Sequence, residues 1–306
     1  MIEHLVPVLA GAIAAATPLI FAGLGELVAE RTGVINLGVE GMMLTGAIAG
    51  FAAAAESGGG AAAGLPAGAL AGMATALLFA VFALSLAANQ AACGLALTIF
   101  GIGLSAFIGQ HYVSYSLPGL APVDIPLLAD IPVLGPVLFH QDAVVYLSFA
   151  AFAGVAWILA RTRLGLLLKA VGESPEAAHA VGYPVIAIRY GAVVFGGAMA
   201  GLAGAYLSTV YTPLWVQNMS AGRGWIAVAL VVFATWKPLR LLLGAYLFGG
   251  VTILQFHAQG LGLDVPVQLL AALPYAATVI VLVFISRDRR LLQLNLPASL
   301  GKSFLP

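Results

Sequence analysis

Charged residues are scarce in this sequence. Asp, Glu, Lys and Arg make up 8% of its 306 residues, whereas soluble domains carry roughly 25%. Hydrophobic residues account for 62% of the chain, and the mean hydropathy is +1.06. This composition excludes a water-soluble globule and predicts an all-α integral membrane protein. The single cysteine, Cys93, excludes a disulfide within the chain and a metal site built on thiolates.

Catalytic signatures are missing as well. The sequence contains no Rossmann fingerprint, no GxSxG nucleophile turn and no paired His/Glu metal motif. Gly301, Lys302 and Ser303 resemble the end of a phosphate-binding loop, but Leu296 stands where its first glycine is required. We therefore expect a protein that is not an enzyme, that binds no cofactor or metal, and that has no nucleic-acid partner.

What the chain does have is a series of long apolar segments. A helix needs about 20 apolar residues to cross a bilayer, and backbone groups cannot face lipid unpaired. We therefore predict a polytopic bundle of about nine transmembrane helices within a single domain, 1–306. The predicted spans are 5–28, 34–55, 64–88, 92–110, 143–160, 190–211, 222–236, 239–257 and 267–285. The seventh is short, so it is interpreted as either a tilted or a re-entrant segment.

The distribution of charge predicts the orientation. If the N-terminus lies outside, the inner connections hold eleven of the twelve basic residues, and only Arg223 lies at an outer end. This asymmetry favours an N-out, C-in topology. It places a loop, 161–189, in the cytoplasm and a loop, 111–142, outside. The outer loop holds five prolines, which disfavour regular helix, so we expect either an ordered, extended cap or a linker.

The cytoplasmic loop contains a short helix signal. Ser174 is a good N-cap, Pro175 suits the first helical position, and Gly182 suits the exit. We predict a helix over 175–181, about two turns long. Two interpretations are open at this point: a connecting loop that happens to be helical, or a docking element for another protein.

A second unusual segment lies in the predicted second span. Asn36 and Glu40 are four residues apart among several glycines, and an ionisable residue costs about 2.5–3.5 kcal/mol at the bilayer centre. They either belong to a pathway or gate at a broken helix, or they satisfy backbone groups that the glycines leave free. Glu26 and Glu30 precede them and are expected to pair with Arg31 or a basic inner loop.

Three further polar residues are pathway candidates. Asn89 and Gln90 lie at a predicted inner turn, where a structural role is the stronger interpretation, and Gln255 lies near an outer helix end. The scarcity of intramembrane carboxylates disfavours an ion-coupled secondary transporter, which stays open as an alternative. The membrane subunit of a primary transporter would instead need a cytoplasmic surface such as 161–189.

Three segments carry a family resemblance. ERTGVINLGVEGMMLTGA (30–47), RTRLGLLLKAVGESPEAAHAVG (161–182) and GRGWIAVALVVFATWKPLRLLLGAYLFGG (222–250) follow one another in order. Together they resemble the membrane permeases of ABC importers in the branched-chain amino acid and ribose class. The likeness is strongest to the nucleoside branch of this class. Permeases of that branch resemble simple-sugar permeases and work with a lipoprotein of the basic-membrane-protein type.

The resemblance implies a permease subunit for binding-protein-dependent import across the bacterial cytoplasmic (inner) membrane. The expected substrate is a nucleoside, with a simple sugar or another small polar ligand as the alternative. The expected partners are an ABC ATPase chain that binds the ATP, a second permease forming a heterodimer, an extracytoplasmic substrate-binding lipoprotein and membrane lipid. The residues implied in coupling to the ATPase are Glu173, Ser174, Pro175, Glu176, Ala177, Ala178 and His179.

Overall fold

The computed structural model describes residues 2–126, 128–129, 131–260 and 295–305, together with single positions between 266 and 283. Helices dominate this part of the chain. They are α1 (Ile2–Arg31), α2 (Val39–Ser57), α3 (Gly60–Ala80), α4 (Gln90–Gly109), α5 (Ala143–Arg161), α6 (Arg163–Glu173), α7 (Pro175–Ala180), α8 (Val185–Tyr206), α9 (Arg223–Phe233) and α10 (Pro238–Gly260). One π-helical turn, Val81–Ser85, continues α3, and another, Leu207–Tyr211, continues α8.

Six helices among the described residues are long and apolar enough to cross a membrane. These spans are Val6–Arg31, Gly60–Ser85, Gln90–Tyr112, Ala143–Arg161, Val185–Tyr211 and Pro238–Gln259. They correspond to six of the nine predicted spans and confirm a multi-pass helical membrane protein. The ninth predicted span, 267–285, lies largely outside the described residues, so the count of nine and the orientation stay predictions.

The other two predicted spans are shorter than expected. α2 begins only at Val39, because residues 32–38 form a loop where the sequence predicted helix. α9 has 11 residues, so at 1.5 Å per residue it is about 16 Å long. That is about half of the ~30 Å hydrocarbon thickness. α2 keeps 19 residues, as many as α5, so of these two only α9 is a partial helix. The short seventh span therefore fits a re-entrant segment better than a full crossing.

Small residues bring the central helices together. α8 packs against α1, α2 and α3, and glycines line the contacts. A methyl group on Gly46 would overlap the backbone of Gly201, and a methyl group on Gly72 would overlap that of Gly197. Close packing through glycine is the expected way to associate helices in lipid, where apolar contact alone gives no preference for a neighbouring helix.

The loops gather at two ends of the bundle. We call the end formed by residues 31–38, 86–90, 161–184 and 295–305 the basic end. At the opposite end, the segment after α4 carries a two-residue antiparallel ladder, in which β1 (Val123–Asp124) pairs with β2 (His140–Gln141). A π-helical turn, Gly135–Phe139, precedes β2. The proline-rich segment is thus extended in part, as predicted, but includes two short helical turns, Gln110–Tyr112 at its start and Gly135–Phe139.

Candidate functional site

The starts of α2 and α9 meet at the carboxylate of Glu40. Its Oε1 accepts hydrogen bonds from the Ser220 hydroxyl at 2.6 Å and from the Gly222 N–H at 2.8 Å. Its Oε2 accepts one from the Gly224 N–H at 2.6 Å. Glu40 lies in the first turn of α2 and is only 3% exposed. A single buried carboxylate therefore joins two helix N-termini.

This arrangement explains the glycines of the GRG turn. The first N–H groups of a helix have no partner within the helix, and the N-cap of α9 is Gly222, which has no side chain to supply one. Glu40 supplies the acceptor from another helix, at the positive end of the α9 dipole. Gly224 permits the approach, since a Cβ there would overlap the backbone of Glu40. Gly222 has a φ of +81°, the left-handed conformation that favours glycine.

Asn36 organises the loop between α1 and α2. Its side-chain oxygen accepts a hydrogen bond from the Gly38 N–H at 2.9 Å, and its own N–H donates to Glu26 Oε1 at 3.0 Å. Asn36 and Glu40 are thus both bound to backbone groups beside glycines, as the second interpretation of the pair expects. Whether they also line a pathway stays a prediction.

The remaining pathway candidates lie apart from this junction. Asn89 caps α4, since its side-chain oxygen accepts from the Ala92 N–H at 3.0 Å. Gln90 reaches the α1–α2 loop and accepts from the Ile35 N–H at 2.9 Å. Gln255 is buried in α10. The structure therefore brings Gln90 to the loop that precedes Glu40 and leaves Gln255 elsewhere in the bundle.

Glu30 has a partner that the sequence did not indicate. The indole N–H of Trp236 donates to Glu30 Oε2 at 2.6 Å, and both side chains are buried. Arg31, the expected ion-pair partner, donates instead to the Trp236 carbonyl at 2.5 Å. Trp236 lies near the end of a predicted span, a position typical of an interfacial belt residue, but its indole lies inside the protein. The expectation of an acid–arginine pair was wrong, because the neighbouring loop presents a neutral donor to the acid and a carbonyl to the arginine.

The predicted coupling helix is present as α7, one residue shorter than expected. The Ser174 hydroxyl accepts from the Ala177 N–H at 3.3 Å, which is the predicted N-cap. Gly182 follows the helix with a φ of +94°, as an exit glycine should. Pro175 and Ala178 face the protein. The exposed positions at and around the helix are Glu173, Glu176, Ala177, His179 and Ala180.

Around α7 the surface is apolar as well as charged. Val181 is 78% exposed and Tyr183 is 47% exposed. An open groove runs beside them, lined by His179, Pro184, Val185, Ile186, Ala187, Tyr190 and Phe304. Exposed apolar side chains next to a rigid, capped helix are typical of a surface that binds another protein.

α6 connects α7 to the bundle, although the sequence was predicted to form loop there. The Thr162 hydroxyl accepts from the Gly165 N–H at 3.2 Å and so caps α6. Lys169 then donates to the Leu159 carbonyl near the end of α5 at 2.8 Å. Burial lowers the pKa of Lys169, and the positive charge of Arg31 lowers it further. α5 and α6 are thus joined through a partly buried lysine rather than through a mobile linker.

Comparison with known proteins assigns the family. The family model described as branched-chain amino acid transport system / permease component matches residues 8–285. The chain belongs to this family. This permease is 42% identical to a putative glucose ABC transporter permease of Haloferax volcanii over 95% of each chain. It is 32% identical to a nucleoside ABC transporter permease of Lactococcus lactis, over 87% of this chain and 88% of the relative.

A guanosine ABC transporter permease of Bacillus subtilis is also 32% identical, over 89% of this chain and 90% of the relative. The family match confirms the resemblance that the three sequence segments indicated. The protein is an ABC transporter permease subunit, and its relatives are transport components rather than enzymes. The residues that sequence reasoning missed, Ser220, Trp236 and the buried Arg189, gave only weak signals as single polar positions near helix ends.

Proposed function

We propose that this permease couples ATP hydrolysis on a separate ATPase chain to the import of an uncharged ligand that contains a sugar ring. The observation that carries the proposal is the exposed, capped helix α7 in a chain of this family. A short helix that is capped by Ser174 and seated on the protein through Pro175 and Ala178 can pass on a push without bending.

The orientation follows from the same proposal. If α7 meets an ATPase, the basic end of the bundle faces the cytoplasm, the N-terminus lies outside and the C-terminus lies inside. The excess of lysine and arginine in these connections supports this orientation. The permease would then lie in the cytoplasmic membrane of a bacterium, as a bundle of about nine spans.

In this mechanism, closure of the ATPase pushes on Glu173–His179, and α6 and α8 move with α7. Four polar residues hold the starts of α2, α9 and α4 in place, namely Glu40, Asn36, Asn89 and Gln90. Gln255 lies away from the basic end and remains a candidate for lining the pathway.

Two properties support an uncharged sugar-containing ligand. Among the described residues, three of the four buried charged side chains, Glu30, Glu40 and Arg189, are bonded to protein groups, so they are not available as partners for a charged ligand. The fourth, Glu26, is bonded through Oε1 to the Asn36 N–H, and its Oε2 has no hydrogen-bond partner within the described part of the chain. One relative named above is described as a putative glucose permease, and the other two as permeases for a nucleoside. Both kinds of ligand present an uncharged sugar ring with hydroxyl groups. A free sugar is favoured by the 42% relative, and a nucleoside by the two relatives at 32%.

The proposed partners are one or two ATPase chains, a second permease that forms a heterodimer with this one, and a substrate-binding lipoprotein outside. Uptake should be measured in vesicles that contain all of them, with labelled glucose and labelled guanosine in parallel. ATP-dependent, saturable uptake of one ligand, unaffected by an ionophore, supports the proposal. Ion-driven uptake by this chain alone would instead identify a secondary transporter.

The ligand is best identified on the binding protein. Thermal-shift measurements with glucose, other hexoses, ribose, guanosine and free guanine separate the two ligand classes. Stabilisation by hexoses alone selects the sugar, and stabilisation by guanosine but not by guanine selects the nucleoside. Stabilisation only by charged ligands would contradict the proposal.

A further inference from the structure

The C-terminal tail, residues 295–305, lies across the basic end of the bundle and is bonded to its segments 31–38, 86–90 and 161–184. The sequence offered only an incomplete phosphate-binding pattern at Gly301, Lys302 and Ser303. Asn295, Ser299, Gly301, Lys302 and Ser303 each bond to residues of other segments. The tail is therefore an ordered part of the protein, and it connects several segments of the basic end.

Arg189 of α8 is the centre of these contacts. It is 1% exposed, and it is the largest fully buried side chain among the described residues. Its Nε donates to the Thr32 carbonyl at 3.0 Å, its Nη1 to the Lys302 carbonyl at 3.2 Å, and its Nη2 to the Ser299 hydroxyl at 3.1 Å. The guanidinium thus joins α8, the α1–α2 loop and the tail.

Ser299 extends the connection to α6. Its hydroxyl donates to the Gly172 carbonyl at 2.7 Å, and its N–H donates to the same carbonyl at 2.9 Å. Gly172 is the penultimate residue of α6 and lies three positions before Pro175, where α7 begins. The chain of contacts therefore runs from the coupling region through Ser299 to Arg189.

Phe304 anchors the far end of the tail under α7. Its ring is buried with Val171, Ala178 and Val185. It meets the His179 ring edge-to-face, with centroids 5.7 Å apart. A displacement of α7 therefore presses directly on the tail as well as on α6.

The tail also contacts the loop that precedes the α2–α9 junction. The Gly301 N–H donates to the Gly33 carbonyl at 3.0 Å. Gln90 is bonded to both the α1–α2 loop and the tail. Its side chain accepts from the Ile35 N–H at 2.9 Å and donates to the Lys302 carbonyl at 3.5 Å. Loop 32–38 leads to Glu40, whose carboxylate holds α9.

We propose that the C-terminal tail is the mechanical link between the coupling helix α7 and the α2–α9 junction. Movement of α7 reaches Phe304 and Ser299, passes through the tail and Arg189 to loop 32–38, and arrives at Glu40. Arg189 is a positioning residue in this link, because it holds three segments in one geometry and touches no ligand. This inference rests on the proposed function, since it assumes that α7 receives a push.

The link is stiff for a physical reason. A buried guanidinium whose donors are engaged cannot leave its site without leaving buried polar groups unpaired, which is unfavourable. Packed interiors respond to displacement by discrete shifts rather than by continuous deformation. A rigid tail therefore moves together with the segments that it joins.

The test compares two variants of the link with one matched control. Ser299→Ala removes the hydroxyl that bridges Arg189 and Gly172 and keeps the backbone bond to Gly172. Phe304→Ala removes the anchor under α7. Leu305→Ala is the control, because it truncates the neighbouring apolar residue, which is 72% exposed. Each variant is purified with its ATPase and partner permease and is reconstituted with the binding protein. ATP hydrolysed and ligand imported are measured together.

If the tail is the link, the two variants keep the ATPase bound and active but import less ligand for each ATP. Ser299→Ala loses the two hydrogen bonds of the hydroxyl, and Phe304→Ala loses a buried ring. The expected change in this ratio is roughly tenfold for each, and Leu305→Ala keeps the wild-type ratio. An unchanged ratio in Ser299→Ala and Phe304→Ala overturns the inference. Loss of the ATPase from either purified complex overturns it too, since the tail would then be a docking or folding element.

A measurement on the unaltered complex does not depend on the variants. Hydrogen exchange at the Ser299 and Gly301 amides should remain slow both with and without a non-hydrolysable ATP analogue, because a link must stay attached in both states. Fast exchange at these amides in one nucleotide state would overturn the inference. Absence of ATP-dependent uptake in the wild-type complex would instead refute the proposed function, so the two failures are distinguishable.

Discussion

Glu40 Oε2 accepts a 2.6 Å hydrogen bond from the Gly224 N–H, although the two residues are 184 positions apart in the sequence. This bond joins the first turn of α2 to the first turn of α9. α9 has only 11 residues and no side-chain cap of its own, and both helices begin at this carboxylate. The junction therefore gives the short α9 an N-terminal acceptor that its own segment does not supply.

The first prediction concerns the Glu40 carboxylate itself. Glu40→Gln keeps the shape but replaces one acceptor oxygen by an NH₂ group that cannot receive the N–H of Gly222 or Gly224. A lost cap costs about 0.5–2 kcal/mol, so the thermal midpoint of the purified permease should fall. Glu56→Gln, at the exposed end of the same helix, is the control. Equal midpoints for both variants would refute a capping role for Glu40.

The second prediction concerns close approach at the junction. Gly224→Ala places a methyl group against the Glu40 backbone, and overpacking of this kind costs about 1–3 kcal/mol. Gly154→Ala in α5 is the matched control, because no other residue lies near its added methyl group. Thermal unfolding in detergent should show a loss for Gly224→Ala and no loss for Gly154→Ala. The reverse order would contradict the described packing of α2 against α9.

The third prediction concerns the indole of Trp236. Trp236→Phe keeps the ring but removes the N–H that bonds to Glu30, and an unpaired buried acceptor costs about 1–3 kcal/mol. Trp225→Phe is the control, since Trp225 is half exposed. The expected result is a lower unfolding midpoint for Trp236→Phe only. If Trp236 were an interfacial belt residue, the two variants would behave alike.

The fourth prediction concerns coupling through α7. Glu176→Arg reverses an exposed charge. Ala177→Pro removes the N–H that donates a hydrogen bond to the Ser174 hydroxyl. Both should abolish ligand uptake while membrane insertion and expression stay normal, as measured by transport assay and immunoblot. Glu56→Gln, which removes an exposed charge at the opposite end of the bundle and keeps an acceptor for the Tyr112 hydroxyl, should leave uptake intact. Wild-type uptake by either α7 variant would remove the coupling assignment.

Local signals carried much of this structure. Ser174, Pro175 and Gly182 predicted α7 to within one residue, because a helix cap depends on neighbours in the sequence. Apolar runs predicted six full-length spans, since the length needed to cross lipid is a local property. The α6 helix was missed, although Thr162 is a good N-cap, because the segment was interpreted only as a basic loop.

The sequence by itself determined that this is a helical membrane protein and which family it resembles, because composition, run length and contiguous motifs are legible along the chain. Only the tertiary structure decided what Glu40, Trp236 and Arg189 do. Their partners at Gly224, Glu30 and Ser299 lie far away in sequence, and a buried charge is defined by whichever groups the fold brings within hydrogen-bonding distance. The same reason hid the contacts of the C-terminal tail with Gly33, Gly172 and Arg189, which lie far from it in sequence.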